Sequence, residues 1–227
     1  MWSMSHPKQY QPPAVEARTV KRVLSWEGEP VLSLSLRTPR LAGEGAAVRR
    51  INRCYEKMAR LWQDRWEGPL YQRACAAAQA DRAAQRPVRP WQAQMDFTVT
   101  LLEGELLSLY FDIYEYAGGA HGMTQRQGDT WQIPAGAPRT LASFYPPRSR
   151  WRRQVLTALH RQAAQNVAGG ETLYYDDWPR RLTACFDPDR FYLTPQGICL
   201  FYPLYTIGPY AEGIPVFQLP WPAPPAV

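Results

Sequence analysis

The stretch Leu106-Leu107-Ser108-Leu109-Tyr110-Phe111-Asp112-Ile113-Tyr114-Glu115-Tyr116 decides the fold class. Leu107, Leu109, Phe111 and Ile113 fall on one side of a period-two pattern, and Ser108, Tyr110, Asp112, Tyr114 and Tyr116 on the other. The pattern predicts a strand with one face on a core. The opposite face is a tyrosine ladder, amphipathic and stiff, the chemistry favoured at protein interfaces. The competing reading is that a helix or a second sheet covers those rings. Directly after the strand comes Gly118-Gly119-Ala120-His121-Gly122. Its glycines permit positive φ and close backbone approach.

Upstream, Phe97, Val99 and Leu101 alternate with threonines and reach Gly104, which predicts a hairpin into the tyrosine strand. Leu32, Leu34 and Leu36 mark an earlier strand, with Gly28 supplying the turn from the segment Arg18 to Glu27. Between these strands, Val48, Ile51, Tyr55, Met58 and Trp62 recur at spacings of three and four, an amphipathic helix. Gly68-Pro69 is expected to interrupt it, because proline lacks the amide and clashes with the preceding turn. The alanine-rich run Tyr71 to Gln85 predicts a second helix.

Downstream, Gly128 to Pro138 reads as a proline-glycine connection. A helix over Ser149 to Val167 carries Trp151, Val155, Leu159 and Ala163 on one stripe and is capped by Gly169-Gly170. A short helix or turn follows over 171–186, and a β-meander over Phe191–Thr194, Ile198–Tyr202 and Ile214–Leu219. The class is α+β: antiparallel sheets with long amphipathic helices in two intertwined subdomains. The expected division is a loose segment over 1–13, an N-terminal α+β subdomain over 14–122, a C-terminal one over 123–221, and a proline-rich tail over 222–227.

Composition excludes several classes. With 45% hydrophobic and 20% charged residues the 227-residue chain is globular, not disordered or collagenous. No apolar run reaches the roughly 18 residues that a membrane helix needs. Met1 to Pro7 lacks a basic region followed by an apolar one, which points to the cytoplasm. The net charge of +6 rests on 23 arginines against three lysines. Arg148, Arg150, Arg152, Arg153 and Arg161 fall in a stretch without an acid. Such a face suits an anionic polymer, although a solvated face is the simpler reading.

Catalytic signatures are sparse. His121 could serve as a general base with Asp112 or Glu115 in a cell-wall-directed hydrolase, but GxSxG and the phosphate-loop and dinucleotide glycine patterns are missing. The alternative is a histidine whose ring nitrogens hydrogen-bond backbone and lock a turn. Cys54, Cys75, Cys185 and Cys199 form no CxxC. On one straight helix Cys54 and Cys75 would stand about 31 Å apart, beyond disulfide reach. All four are expected reduced and buried. No metal site and no cofactor is expected.

Three motifs together carry a resemblance: Tyr114-Glu-Tyr116-Ala-Gly118-Gly119-Ala-His121-Gly122, Phe191-Tyr192-Leu193-Thr194-Pro195-Gln-Gly197-Ile198, and Tyr205-Thr-Ile207-Gly-Pro209-Tyr210-Ala-Glu-Gly213-Ile214-Pro215. The chain resembles the bacterial tandem domains of unknown function in the extracytoplasmic part of the lysozyme-sensing anti-sigma factor RsiV, related to domains beside peptidoglycan deacetylases. The resemblance covers about residues 14–221. It implies a non-enzymatic binding module outside the membrane whose partner is a lysozyme-like protein or a cell-wall glycan. Nucleic acid is not an expected partner. The binding surface expected from the tyrosine face of the strand and the two loops comprises Tyr110, Tyr114, Tyr116, Gly118, Gly119, His121, Gly122, Tyr205 and Tyr210.

Overall fold

A computed structural model describes residues 10–222. Of the loose start expected over 1–13 and the proline-rich tail over 222–227, residues 1–9 and 223–227 lie outside the described residues, while Tyr10 packs against the core. Six strands form the first sheet in the order β1 (Val15–Trp26), β2 (Glu29–Leu41), β3 (Trp91–Glu103), β4 (Leu106–Tyr116), β5 (Met123–Gln132) and β6 (Ala137–Pro138). A second sheet holds β7 (Phe191–Thr194), β8 (Gly197–Phe201) and β9 (Val216–Pro220). With its helices the architecture is α+β, as expected.

Three local expectations are corrected. Gly128 to Pro138 is not a plain connection: it holds the end of β5, Met123–Gln132, which pairs with β4 from Glu115↔Met123 to Leu106↔Gln132, and all of β6. The polar run Thr124-Gln125-Arg126-Gln127 masks β5 because it lies along much of the sheet edge, with β6 pairing only at Trp131 and Gln132. The β2–β3 pair is parallel, Leu32 opposite Trp91 through Leu36 opposite Met95, because the intervening helices carry the chain back to the same end of the sheet. Pro69 does not break the helix. α1 (Ala46–Arg65) passes through one π turn, Trp66–Leu70, into α2 (Tyr71–Ala83). A wider turn absorbs the missing amide and the ring.

α1, the π turn and α2 lay Ile51, Tyr55, Trp66, Leu70, Ala74 and Ala78 on the sheet face made by Leu32, Leu34, Met95, Leu107, Leu109 and Phe111. Tyr55 accepts a hydrogen bond from Trp131 Nε1 at 2.7 Å. The four cysteines are free; Cys199 is buried, but Cys54 and Cys185 are exposed. Cys54 falls beside Tyr55 on the outer side of α1, and Cys185 terminates α4 (Trp178–Ala184), so neither lies on a core stripe.

The other face of the first sheet receives the second sheet edge-on. Phe201 N–H donates to Arg190 O, so even-numbered residues of β7 bond β8 and odd-numbered ones turn their backbone groups outward. Leu193 N–H then donates to Ser108 Oγ at 2.8 Å, and Ser108 Oγ lies 2.8 Å from Thr130 Oγ1. Ser108 and Thr130 are buried. Small residues at Ser108 and Gly128 let a strand edge stand where a larger side chain would hold it off. β7–β9 also form a core with the Val155-Leu159-Ala163 stripe of α3 (Trp151–Ala168).

Asp129 faces the helix side of β5, opposite Leu109. Burial pushes its carboxyl above the ordinary aspartate range, and only a long hydrogen bond from Gln127 opposes this. A raised folded value means a penalty absent below the unfolded value of about 3.9 and growing as pH rises through and beyond it. Asp129→Asn should therefore stabilise the protein at pH 7 in urea denaturation, with the gain vanishing near pH 3. An equal gain at both pH values would show that ionisation is not its source.

Candidate functional site

Two loops meet at the end of β4. Gly118 and Gly119 adopt φ of +83° and +90°, turning the chain sharply after the strand. Tyr116 Oη donates to Gly119 O at 3.1 Å and holds this turn. A Cβ on Gly122 would lie 2.4 Å from the Tyr114 ring, so the glycine makes room for that ring beside the loop.

The second loop, 203–213, is fixed from below. Ile207 is buried, its carbonyl accepts from Tyr175 N–H at 2.9 Å, and Glu212 Oε2 accepts from Leu173 N–H at 2.6 Å. Tyr205 is held at φ +63°, a left-handed conformation that a bulky residue adopts only when its surroundings impose it.

His121 joins the loops. Its ring stacks on Tyr210 with centroids 3.9 Å apart and planes 17° from parallel. Nδ1 lies 3.0 Å from Gly122 O. A carbonyl only accepts, so Nδ1 carries the proton and Nε2 accepts from Tyr205 Oη at 3.2 Å. Tyr205 and Tyr210 are themselves 5.9 Å apart. The result is a surface cluster of three rings, with His121 and Tyr205 exposed and Tyr210 half-buried.

The residues expected at a binding surface therefore separate into two groups. His121, Tyr205 and Tyr210 are in direct contact; Tyr114, Tyr116, Gly118, Gly119 and Gly122 shape the loop beside them. Tyr110 is elsewhere. The second sheet covers this end of the ladder: the Tyr110 ring packs 4.9 Å from Tyr192 and lies under the Arg126 guanidinium at 4.0 Å.

Pairing of His121 with an acid is not what the structure shows. Asp112 accepts both nitrogens of Arg126, at 2.8 and 2.7 Å. Glu115 sits on the opposite side of β4 from Tyr114, bonded to Arg65 at 2.8 and 3.0 Å and to Trp66 Nε1 at 2.8 Å. Burial pushes Glu115 up, but these three hydrogen bonds outweigh it and hold the carboxyl below its ordinary value. Among the described residues no group of three histidines, cysteines or acids could hold a metal ion, and no helix is long and apolar enough to cross a membrane.

Sequence reasoning missed a cleft next to the ring cluster. It has a volume of about 540 Å³ and lies between β5 and Pro203-Leu204, with Trp62, Arg65, Arg126 and Arg190 around it. These residues are too scattered along the chain to form a motif.

Residues 27–124 match the family model described as Deacetylase PdaC, and residues 153–222 match that described as Protein of unknown function (DUF3298). The two matched segments follow one another along the chain. A DUF3298 family protein from Bacteroides fragilis has the same fold, with a TM-score of 0.70 at 15% identity over 92% of this chain and 90% of that one. One from Pseudomonas aeruginosa gives 0.60 at 17% identity over 93% and 92%. Comparison with curated proteins finds no match. The β4 strand and the turn after it end the PdaC-like segment, while Tyr205 and Tyr210 belong to the DUF3298 segment. The stacked rings thus lie where the two meet.

Proposed function

We propose that this chain is a non-catalytic recognition module of the RsiV-like type, and that it binds a protein partner through His121, Tyr205, Tyr210 and the adjoining Tyr114. Lysozyme is the first partner to test and a cell-wall glycan the second. The stack of His121 on Tyr210 carries this reading. It links the two matched segments through aromatic rings that stay accessible, and both loops are anchored beneath. Rigid, partly exposed tyrosines lose little entropy on binding and are typical anchors of interfaces. Both ring nitrogens of His121 are engaged, Asp112 and Glu115 are bonded to arginines and Glu212 to the Leu173 amide, which favours recognition over proton transfer.

Tyr210→Ala and Tyr114→Ala should each weaken lysozyme binding more than tenfold, about 1.4 kcal/mol, in calorimetry on variants whose circular dichroism is unchanged. Native affinity in both correctly folded variants would overturn the placement. Hydrolysis of peptidoglycan fragments that disappears in His121→Ala would replace recognition with the hydrolase reading.

A further inference from the structure

We propose that the outer face of α3 docks a linear phosphodiester polymer that lacks stacking bases, of the poly(glycerol phosphate) kind. This site is separate from the ring cluster. Residues 148–170 contain five arginines and no acid. Among the described residues, nine arginines form ion pairs with carboxylates, and none of these five does. Arg152 is occupied over the Phe186 ring at 5.1 Å. Arg148, Arg150, Arg153 and Arg161 are exposed.

The charges follow one path. Two shallow clefts, of about 650 and 440 Å³, share Arg150, Arg153 and Thr157, and Arg161 extends the second. From Arg150 to Arg161 the path runs about 16 Å along the helix. The arrangement also opposes the helix itself. Arg150, Arg152 and Arg153 crowd its first turn, where no acid offsets them and the macrodipole already disfavours cations. A chain of phosphates laid along the face relieves both repulsions.

Other anionic partners fit less well. Among the described residues, Val167 is the large exposed apolar side chain of α3 and lies beyond the last arginine, while Trp151 and Leu156 at the first cleft are half-buried, so the face offers little of the apolar surface that a membrane anchor or the centre of a protein interface uses. Trp151 is half-buried and stacked with Tyr145 at 6.0 Å, which leaves no open ring for the base stacking that single-stranded nucleic acids use.

The test is fluorescence titration of the full chain with a synthetic poly(glycerol phosphate). Three to four phosphate contacts should weaken binding roughly 20- to 50-fold between about 50 and 200 mM salt. Arg150→Gln/Arg153→Gln should lose affinity at least tenfold and flatten the salt dependence. Arg53→Gln/Arg60→Gln on α1 removes the same charge from another exposed face and should leave binding unchanged. Equal losses in the two double variants, salt-independent binding or no binding would overturn the proposal. So would a thymidine oligonucleotide of equal charge, or an anionic vesicle, that binds more tightly through the same arginines.

Discussion

Trp66→Ala is expected to cost about 3–5 kcal/mol of folding stability, the range for emptying an indole-sized core site. Trp66 is fully buried in the π turn between α1 and α2, 5.7 Å from the Trp62 ring. Its Nε1–H also satisfies Glu115, so the alanine leaves a hole and deprives a carboxylate of a donor. Trp66→Phe separates the two effects. It keeps most of the volume and should cost about 1–3 kcal/mol, the worth of one hydrogen bond to a charged group, since Glu115 keeps both bonds from Arg65. Glu115 has a lowered folded value. Its contribution is therefore present above the ordinary glutamate value and lost as pH falls through the folded one. Trp66→Phe should shift the onset of acid unfolding upward. Urea denaturation between pH 2 and pH 7 checks both statements; an alanine variant within 1 kcal/mol of the parent would contradict the packing described.

Gly128→Ala should be nearly as damaging although it adds one methyl group. The new Cβ would lie 2.0 Å from Phe191 O and 2.8 Å from Phe191 C, both backbone atoms that cannot rotate away. Overpacking costs roughly 1–3 kcal/mol where side chains yield, and a strand held by its neighbours yields less. β7 must lift from β4–β5, which breaks the Leu193 N–H to Ser108 bond. The Leu193 amide should lose most of its hydrogen-exchange protection while amides of β2 and β3 keep theirs. Unchanged protection at Leu193 would mean that the second sheet does not rest where Gly128 admits it.

Much of this arrangement is written locally, and the part that is not has a common cause. Leu107, Leu109, Phe111 and Ile113 announce their buried face through alternation alone, and all four are buried. Ser108 and Tyr110 share the opposite face with Tyr114, yet β7 covers the first two and leaves the ladder's far end beside the loops. Nothing within the strand encodes how far a sheet built 80 residues later will reach. β5 was obscured because an edge strand needs little apolar patterning. The glycine loop and the Tyr205–Tyr210 segment stand out as motifs, but their contact through His121 is a property of the assembled fold. The cleft beside them left no linear trace.

The parallel pairing of β2 with β3 carries a kinetic consequence. Leu32 meets Trp91 only after the chain between them has been drawn in. Closing such a loop costs conformational entropy before any ladder bond rewards it. α1, the π turn and α2 shorten that excursion, so early helix formation would bring the two strands within reach and the first sheet would complete late. The wide turn at Pro69 then acts on the order of assembly as well as on the finished shape: a sharp break there would lengthen the search that unites the sheet.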